Sequence, residues 1–155
     1  MSISPKNNLP FDARKFLLRK LSRQALHRAQ AKKLLKEKGV LDEEIDRLIA
    51  SLDSLFDDEA WVDGKLNRFT REGKSALQVK LKLRQAGVVS PSYDEKEALE
   101  VCIRKKYSCL LSSDCPREKK QRAIQALLRR GYSLSLIHSI LRENVLSSLI
   151  AEEER

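Results

Sequence analysis

Few side chains in this sequence have the type and spacing that catalysis needs. Asp57 and Asp58 are adjacent carboxylates that could work as an acid–base pair. They stand at the start of a predicted helix, where capping explains them better than chemistry does. Cys102, Cys109 and Cys115 lack the Cys-x-x-Cys spacing of metal sites, and we expect free thiols in a reducing cytoplasm. We therefore predict no enzyme, no cofactor and no metal site.

Positive charge is the more informative property of the chain. The formal net charge is +9, and the segment from Phe11 to Lys38 holds ten basic and two acidic side chains. Residues 53–111 nearly balance, with eleven basic against ten acidic side chains. Such a concentration indicates a polyanionic partner, either nucleic acid or an acidic protein surface. The alternative is a solvated helix face in a basic protein.

Further basic residues recur near the second helix of each predicted unit and in the segments beside it. Because they occupy similar repeat positions, they could line one side of the molecule and bind that partner. The predicted binding residues are Lys32, Lys33, Lys36, Arg68, Arg71, Lys74, Lys80, Lys82, Arg84, Arg104, Lys105, Lys106, Arg129 and Arg130.

A pattern that ends in glycine places these residues on helices. It occurs three times, at Gly39, Gly87 and Gly131, with intervals of 48 and 44 residues. In each copy apolar residues stand eight and four positions before the glycine and one position after it. Steps of four lie on one helix face, and glycine is the usual left-handed residue after a helix end. The pattern predicts a tandem helical array.

The array predicts an all-α fold of three tandem three-helix repeats. In the middle repeat the turn-like segment 88–93 replaces the third helix, which is therefore lost or shortened. No run of 18 apolar residues is present, so we expect no membrane span, and we see no signal peptide. The predicted parts are a flexible N-terminus at 1–10, repeats at 11–56, 57–93 and 94–150, and a charged tail at 151–155.

Capping residues mark most of the predicted helix ends. Trp61 is expected to be a core anchor packed against Phe56 in a hydrophobic staple. A helix is expected from about Asp94 to Leu111. The expected N-caps share a short polar side chain before an apolar periodic run: Asp42, Asp57, Ser133, Ser75 in a capping box with Gln78, and the loop 112–114 before Pro116.

Four segments, taken in order, resemble the bacterial regulatory RecX family. They are residues 31–39, residues 56–61, residues 71–75 with 83–88, and residues 127–133 with Ile137. The Asp-Asp-x-x-aromatic boundary and the Arg-Arg-Gly-Tyr-Ser ending are the more specific ones. Together the segments cover roughly residues 14 to 142.

The resemblance implies a bent, elongated arrangement of the three units and a role in homologous recombination. Members of the family bind in the groove of the RecA filament on single-stranded DNA. They suppress ATP hydrolysis, strand exchange and cleavage of the SOS repressor. The resemblance therefore implies a modulator of RecA, with inhibition as the expected direction. We also expect a monomer in the cytoplasm with no membrane contact.

Two other functions fit the same residues. The first alternative is a basic helical protein that binds single- or double-stranded DNA independently of RecA, since small helical units with basic faces resemble helix-turn-helix modules. The second is a helical adaptor or chaperone for an acidic protein.

Overall fold

The computed structural model describes residues 10–89 and 91–154, and these ranges contain helices and turns but no strand. The predicted flexible N-terminus lies outside the described residues except for Pro10. The eight α-helices are α1 (Ala13–Arg23), α2 (Arg28–Glu37), α3 (Asp42–Ser51), α4 (Asp58–Arg71), α5 (Ala76–Gln85), α6 (Glu95–Lys106), α7 (Arg117–Arg129) and α8 (Leu134–Glu153). Short 3₁₀ turns occur at Asp53–Leu55 and Ser108–Leu111.

The chain forms two compact units, Met1–Trp61 and Val62–Arg155, with the division inside α4. The first unit packs α1, α2 and α3 around the fully buried side chains of Leu17, Leu26, Leu35 and Ile45. Apolar residues at three- and four-residue spacing give each of these helices one buried side, which is why three short helices are enough to enclose a core.

The second unit contains the greater part of α4 and all of α5 to α8. Its described core is built mainly by α6, α7 and α8, where Leu99, Ile103, Leu127 and Ile137 are almost completely buried. Between Gln85 and Glu95 the described residues form no helix. The helices therefore follow the predicted order of three, two and three, and the prediction of an all-α fold with a reduced middle repeat is confirmed.

The repeated glycines end helices in the way that their spacing predicts. After α2, the backbone N–H of Gly39 donates to the carbonyl of Lys36, and that of Val40 donates to Leu35. This double hydrogen bond is the Schellman motif, which needs a left-handed residue at the glycine position. The same pair of bonds follows α4, α5 and α7. The four glycines, Gly39, Gly73, Gly87 and Gly131, have φ values of 82°, 66°, 78° and 101°.

Three helix ends differ from the predictions. Asp42 lies in the first turn of α3 rather than at its N-cap, because Leu41 has the extended backbone and no side chain caps this helix. The helix expected to reach Leu111 ends at Lys106, where the backbone of Tyr107 leaves the helical region and a 3₁₀ turn begins. The expected charged tail is helical as far as Glu153, since α8 continues.

The loop 112–114 does not cap α7, which is a further correction. Pro116 precedes α7 with an extended backbone, and no side chain accepts from the first turn. The Ser112 hydroxyl accepts from the backbone N–H of Asp114 instead, at 3.2 Å. The polar residues therefore stabilise their own turn and leave the helix start to the proline.

The expectation of three free thiols is wrong for two of them. Cys109 and Cys115 form a disulfide whose Cα atoms are 5.4 Å apart, while Cys102 is free and buried. The 3₁₀ turn and the following loop fold the chain back within six residues, which brings the two Cα atoms into disulfide range.

Substituting alanine for Gly131 should cost far more stability than the same change at Gly39. Both positions have positive φ, which costs alanine about 1–2 kcal/mol. A Cβ at Gly131 would also lie 2.9 Å from Ser75 Oγ and 3.2 Å from Leu77 Cβ, whereas Gly39 has nothing within 4 Å. We expect an additional loss of about 1–3 kcal/mol for Gly131→Ala in urea unfolding. Equal losses for the two variants would contradict this packing.

Candidate binding surface

The two adjacent carboxylates serve the fold of the first unit. Asp57 accepts a hydrogen bond from the backbone N–H of Ala60 at 3.0 Å and so caps α4, as predicted. Asp58 accepts from the backbone N–H of Arg28 at 2.9 Å, at the start of α2, and lies 3.2 Å from its guanidinium. Hydrogen bonds to Asp53 and Asp58 raise the pKa of Arg28, which stays charged. The carboxylates therefore join two helix starts.

Trp61 is less buried than the predicted core anchor. Its ring is half-buried and meets the His27 ring edge-on, with 5.5 Å between the centroids. The imidazole Nδ1 of His27 accepts from the backbone N–H of Ala29 at 3.0 Å, so His27 is the N-cap of α2. This cap is not evident from the sequence, because histidine is an uncommon N-cap residue.

Removing the Asp58 carboxylate should destabilise the first unit. In Asp58→Ala the backbone N–H of Arg28 loses its acceptor, and we expect a loss of about 1–2 kcal/mol in the free energy of unfolding. Asp46→Ala is the matched control, because Asp46 and Lys32 form an exposed ion pair with 3.5 Å between the charged atoms. Such pairs contribute about 0–1 kcal/mol. A change at Asp58 no larger than that of the control would contradict the cap.

Chemistry at the remaining polar groups is limited in the described residues. No cluster of three or more His, Cys, Asp or Glu side chains there could hold a metal ion. Burial raises the pKa of the Cys102 thiol, so this group stays protonated and is a poor nucleophile.

The ends of three helices meet within the second unit. At the end of α6, Lys105 Nζ donates to the backbone carbonyl of Arg71, the last residue of α4, at 2.9 Å. At the end of α7, the Arg130 guanidinium lies 5.9 Å from the centre of the Tyr107 ring, which follows α6. Cations beside helix C-termini are stabilised by the negative end of the helix dipole. We call Arg71, Lys105, Lys106 and Arg130 the basic cluster.

Two buried hydroxyl groups hold these helix ends in place. The Tyr132 phenol, which follows α7, donates to the carbonyl of Gly73, which follows α4, at 2.7 Å. The Ser75 hydroxyl donates to the carbonyl of Arg130 at 2.6 Å and accepts from the backbone N–H of Gln78 at 3.3 Å, within the predicted capping box. These bonds satisfy carbonyl groups that helix ends leave without intrahelical partners.

A cleft beside the basic cluster adds two cations that the predicted set lacks. Lys119 and Arg122, on α7, line a cleft of about 340 Å³ together with Lys106 and Tyr107. The cleft combines three positive side chains with an aromatic ring, which suits phosphate or carboxylate groups. The i, i+3 spacing of Lys119 and Arg122 places them on one helix side and was the available sequence signal.

Several other predicted binding residues have acidic neighbours. Lys32 and Lys36, on α2, lie 3.5 and 3.4 Å from Asp46 and Asp42. Arg68 and Lys74 both approach Glu72, at 2.7 and 3.6 Å, and the hydrogen bond from Arg68 lowers the pKa of that carboxyl. These cations are partly neutralised. Arg104 lines a different cleft together with Glu100 and Glu143.

The remaining predicted residues are exposed on helix surfaces. Lys33 is on α2 of the first unit, and Lys80, Lys82 and Arg84 are on α5. Arg129 is exposed next to the cluster residue Arg130. Of the fourteen predicted residues, Lys105 contacts the backbone of Arg71 at the end of α4, and Lys106 and Arg130 lie beside Tyr107.

Tyr132 should make the second unit sensitive to alkaline pH. Burial raises the pKa of Tyr132 above its usual value of 10.0, so its stabilising effect is complete below pH 10 and is lost as pH rises toward the folded-state pKa. One such group lowers the unfolding free energy by about 1.4 kcal/mol per pH unit in that range. Tyr132→Phe should be less stable at pH 7 but decline less steeply above pH 10 in urea titrations. Identical slopes would contradict the argument.

Comparison with known proteins identifies one matching region. Residues 94–141 match the family model described as RecX, third three-helix domain. This range contains α6, α7 and the first part of α8. Searches of curated proteins and of solved structures give no match. In the described part of the chain, no helix has the length and apolar character that crossing a membrane requires. The RecX family is regulatory and non-enzymatic, and residues 94–141 of this chain are similar to its third domain.

Proposed function

We propose that this chain binds the RecA filament on single-stranded DNA and inhibits its ATPase, strand-exchange and SOS co-protease activities. The main support for this proposal is that the region matching the third domain contains most of the basic cluster and its cleft. The chain acts in the cytoplasm as a regulator without enzymatic activity of its own. Its partner is the RecA nucleoprotein filament.

The charge of the cleft beside the basic cluster supports this partner. Lys106, Lys119 and Arg122 line one cleft without an acidic side chain among its lining residues. A nucleoprotein filament presents DNA phosphates and acidic protein groups that such a cleft can bind. The Arg130 side chain packs over Tyr107, and this contact holds the guanidinium near the cleft. Because the side chain is already restricted, it loses less conformational entropy on binding.

The remaining predicted residues add contacts outside the cluster. Lys32, Lys33 and Lys36 lie in the first unit, and Lys80, Lys82 and Arg84 lie on α5. We propose that these cations contribute weaker, less localised attraction, because exposed charges are screened within about 8–10 Å at physiological salt. Contacts from two units of one chain add by avidity.

Inhibition by the double variant Lys106→Ala/Arg122→Ala tests the cleft beside the basic cluster. We expect a roughly 10- to 100-fold rise in the concentration that half-inhibits RecA ATPase on single-stranded DNA, since two charge-assisted contacts are lost. Lys80→Ala/Arg84→Ala removes the same charge from α5 and is the matched control, with an expected change below about threefold.

Three outcomes would contradict the proposal. Equal losses in both double variants would show that total charge, rather than the cluster, sets the effect. Full inhibition by Lys106→Ala/Arg122→Ala would remove the cleft from the interface. A wild-type chain that leaves both ATPase and strand exchange unchanged at stoichiometric amounts would contradict RecA regulation itself.

A second function is favoured by Tyr107, because an aromatic ring beside cations is the usual arrangement for stacking single-stranded bases. In this case the chain binds DNA without RecA. Binding to bare single- and double-stranded DNA should then be measurable and should weaken steeply with salt. Tight RecA-independent binding would favour this function, and its absence at low salt would exclude it.

A further inference from the structure

The second half of α8 lies outside the core of its own unit. Residues 142–154 are all exposed, although α8 runs unbroken to Glu153. Val145, Leu146, Leu149 and Ile150 are 60%, 59%, 53% and 57% exposed. These are four large apolar side chains within six residues, and a helix with no burial is only marginally stable in water.

The apolar residues lie on the side of α8 that faces away from the unit. Ile137 and Ile140 are buried, and beyond them Asn144 and Ser147 line a cleft of about 290 Å³ with residues of α6. At about 100° per residue, the centre of the four apolar residues is rotated by about 150° from Ile137. The inward side is therefore polar and the outward side apolar, the reverse of a helix that packs only on its own unit.

Opposite charges stand at the two ends of this outward side. Arg142 precedes the four apolar residues and Glu153 follows them, and helical periodicity places both within about 20° of the centre of the stripe. We call Arg142, Val145, Leu146, Leu149, Ile150 and Glu153 the α8 stripe. Its charge changes sign from one end to the other.

We propose that the α8 stripe pairs with the α8 stripe of a second copy of this chain, antiparallel about a two-fold axis. Antiparallel pairing centred between residues 147 and 148 places Leu146 opposite Leu149 and Val145 opposite Ile150. It also places each Arg142 opposite the Glu153 of the other copy. Parallel pairing would bring like charges together, so the charge pattern selects the antiparallel arrangement.

The charge at the end of α8 supports the same partner. Its last turn contains acidic residues and no basic one, which is unfavourable beside the negative end of the helix dipole. Arg142 of the second copy supplies the missing cation. Glu143, at the flank of the stripe, is already paired with Lys96 at 2.9 Å, so it presents little like-charge repulsion.

The size of the stripe sets the strength of the pair. Four apolar residues per copy form an interface below the ~1,200–2,000 Å² that stable specific complexes bury, so we expect a dissociation constant on the order of 10–100 µM. The chain is then monomeric when dilute, in agreement with the sequence-based expectation, and dimeric when concentrated. The stripe follows the family match, which ends at residue 141, and the inference does not depend on the proposed function.

Sedimentation velocity of the full chain between about 5 and 500 µM tests the pairing. We expect the wild type to change from monomer to dimer in this range and Leu146→Glu to remain monomeric. Leu81→Glu is the matched control, because Leu81 is 51% exposed on α5, and it should dimerise like the wild type. Circular dichroism checks that each variant keeps its helix content.

Charge reversal distinguishes antiparallel self-pairing from other association. Arg142→Glu and Glu153→Arg should each weaken dimerisation at least about fivefold, since each puts like charges opposite one another. An equimolar mixture of the two variants should dimerise like the wild type, because the mixed pair restores both opposite-charge contacts. A wild type that stays monomeric at 500 µM, a dimer that survives Leu146→Glu, or a mixture that fails to pair would each overturn the proposal.

Discussion

The phenol of Tyr132 donates to the carbonyl of Gly73, and this buried bond connects the turn after α4 to the turn after α7. The Ser75 hydroxyl makes the reciprocal link to the carbonyl of Arg130. Both carbonyls lie at helix ends, where no backbone N–H of the same helix is available as a hydrogen-bond donor. A Cβ at Gly73 would lie 2.8 Å from Cys102 Cβ, so the approach of α4 to α6 leaves no room for a side chain. The arrangement of the second unit depends on these contacts.

The surface follows from the same constraint. Because the ends of α4, α6 and α7 are held together, the cations at these ends are held in the same region. The repulsion between them is offset by the three helix dipoles and by the Tyr107 ring. The cations that stabilise these helix ends are thus also concentrated beside one cleft. A structural role and a binding role are compatible here, since Arg71, Lys105 and Lys106 remain exposed.

The fold could be predicted from the sequence because its main signal is local. A Schellman ending requires a residue that tolerates positive φ, and glycine at Gly39, Gly87 and Gly131 fixes where helices stop without reference to tertiary contacts. Ser75 and Asp57 are caps for the same reason. The disulfide between Cys109 and Cys115 and the 3₁₀ turn before it were missed, because the helical pattern of α6 continues past the point where the backbone leaves the helix.

The binding surface could be predicted only in part. Sequence spacing gave the basic residues of each helix, but it could not show that Lys105 reaches the end of α4 while Arg68 and Lys74 are occupied by Glu72. The contact of Lys105 joins residues more than 30 positions apart, and the ion pairs with Glu72 depend on side-chain rotamers. Lys119 and Arg122 were omitted for the same reason, since their importance comes from the position of Lys106 across the cleft.

Hydrogen–deuterium exchange of the chain, alone and bound to RecA on single-stranded DNA, tests the central claim most directly. If the basic cluster is the contact surface, the amides at residues 71–75, 104–109 and 129–132 should gain protection in the complex, more than those of α5. Protection confined to the first unit or to α5, with these three segments unchanged, would contradict the account.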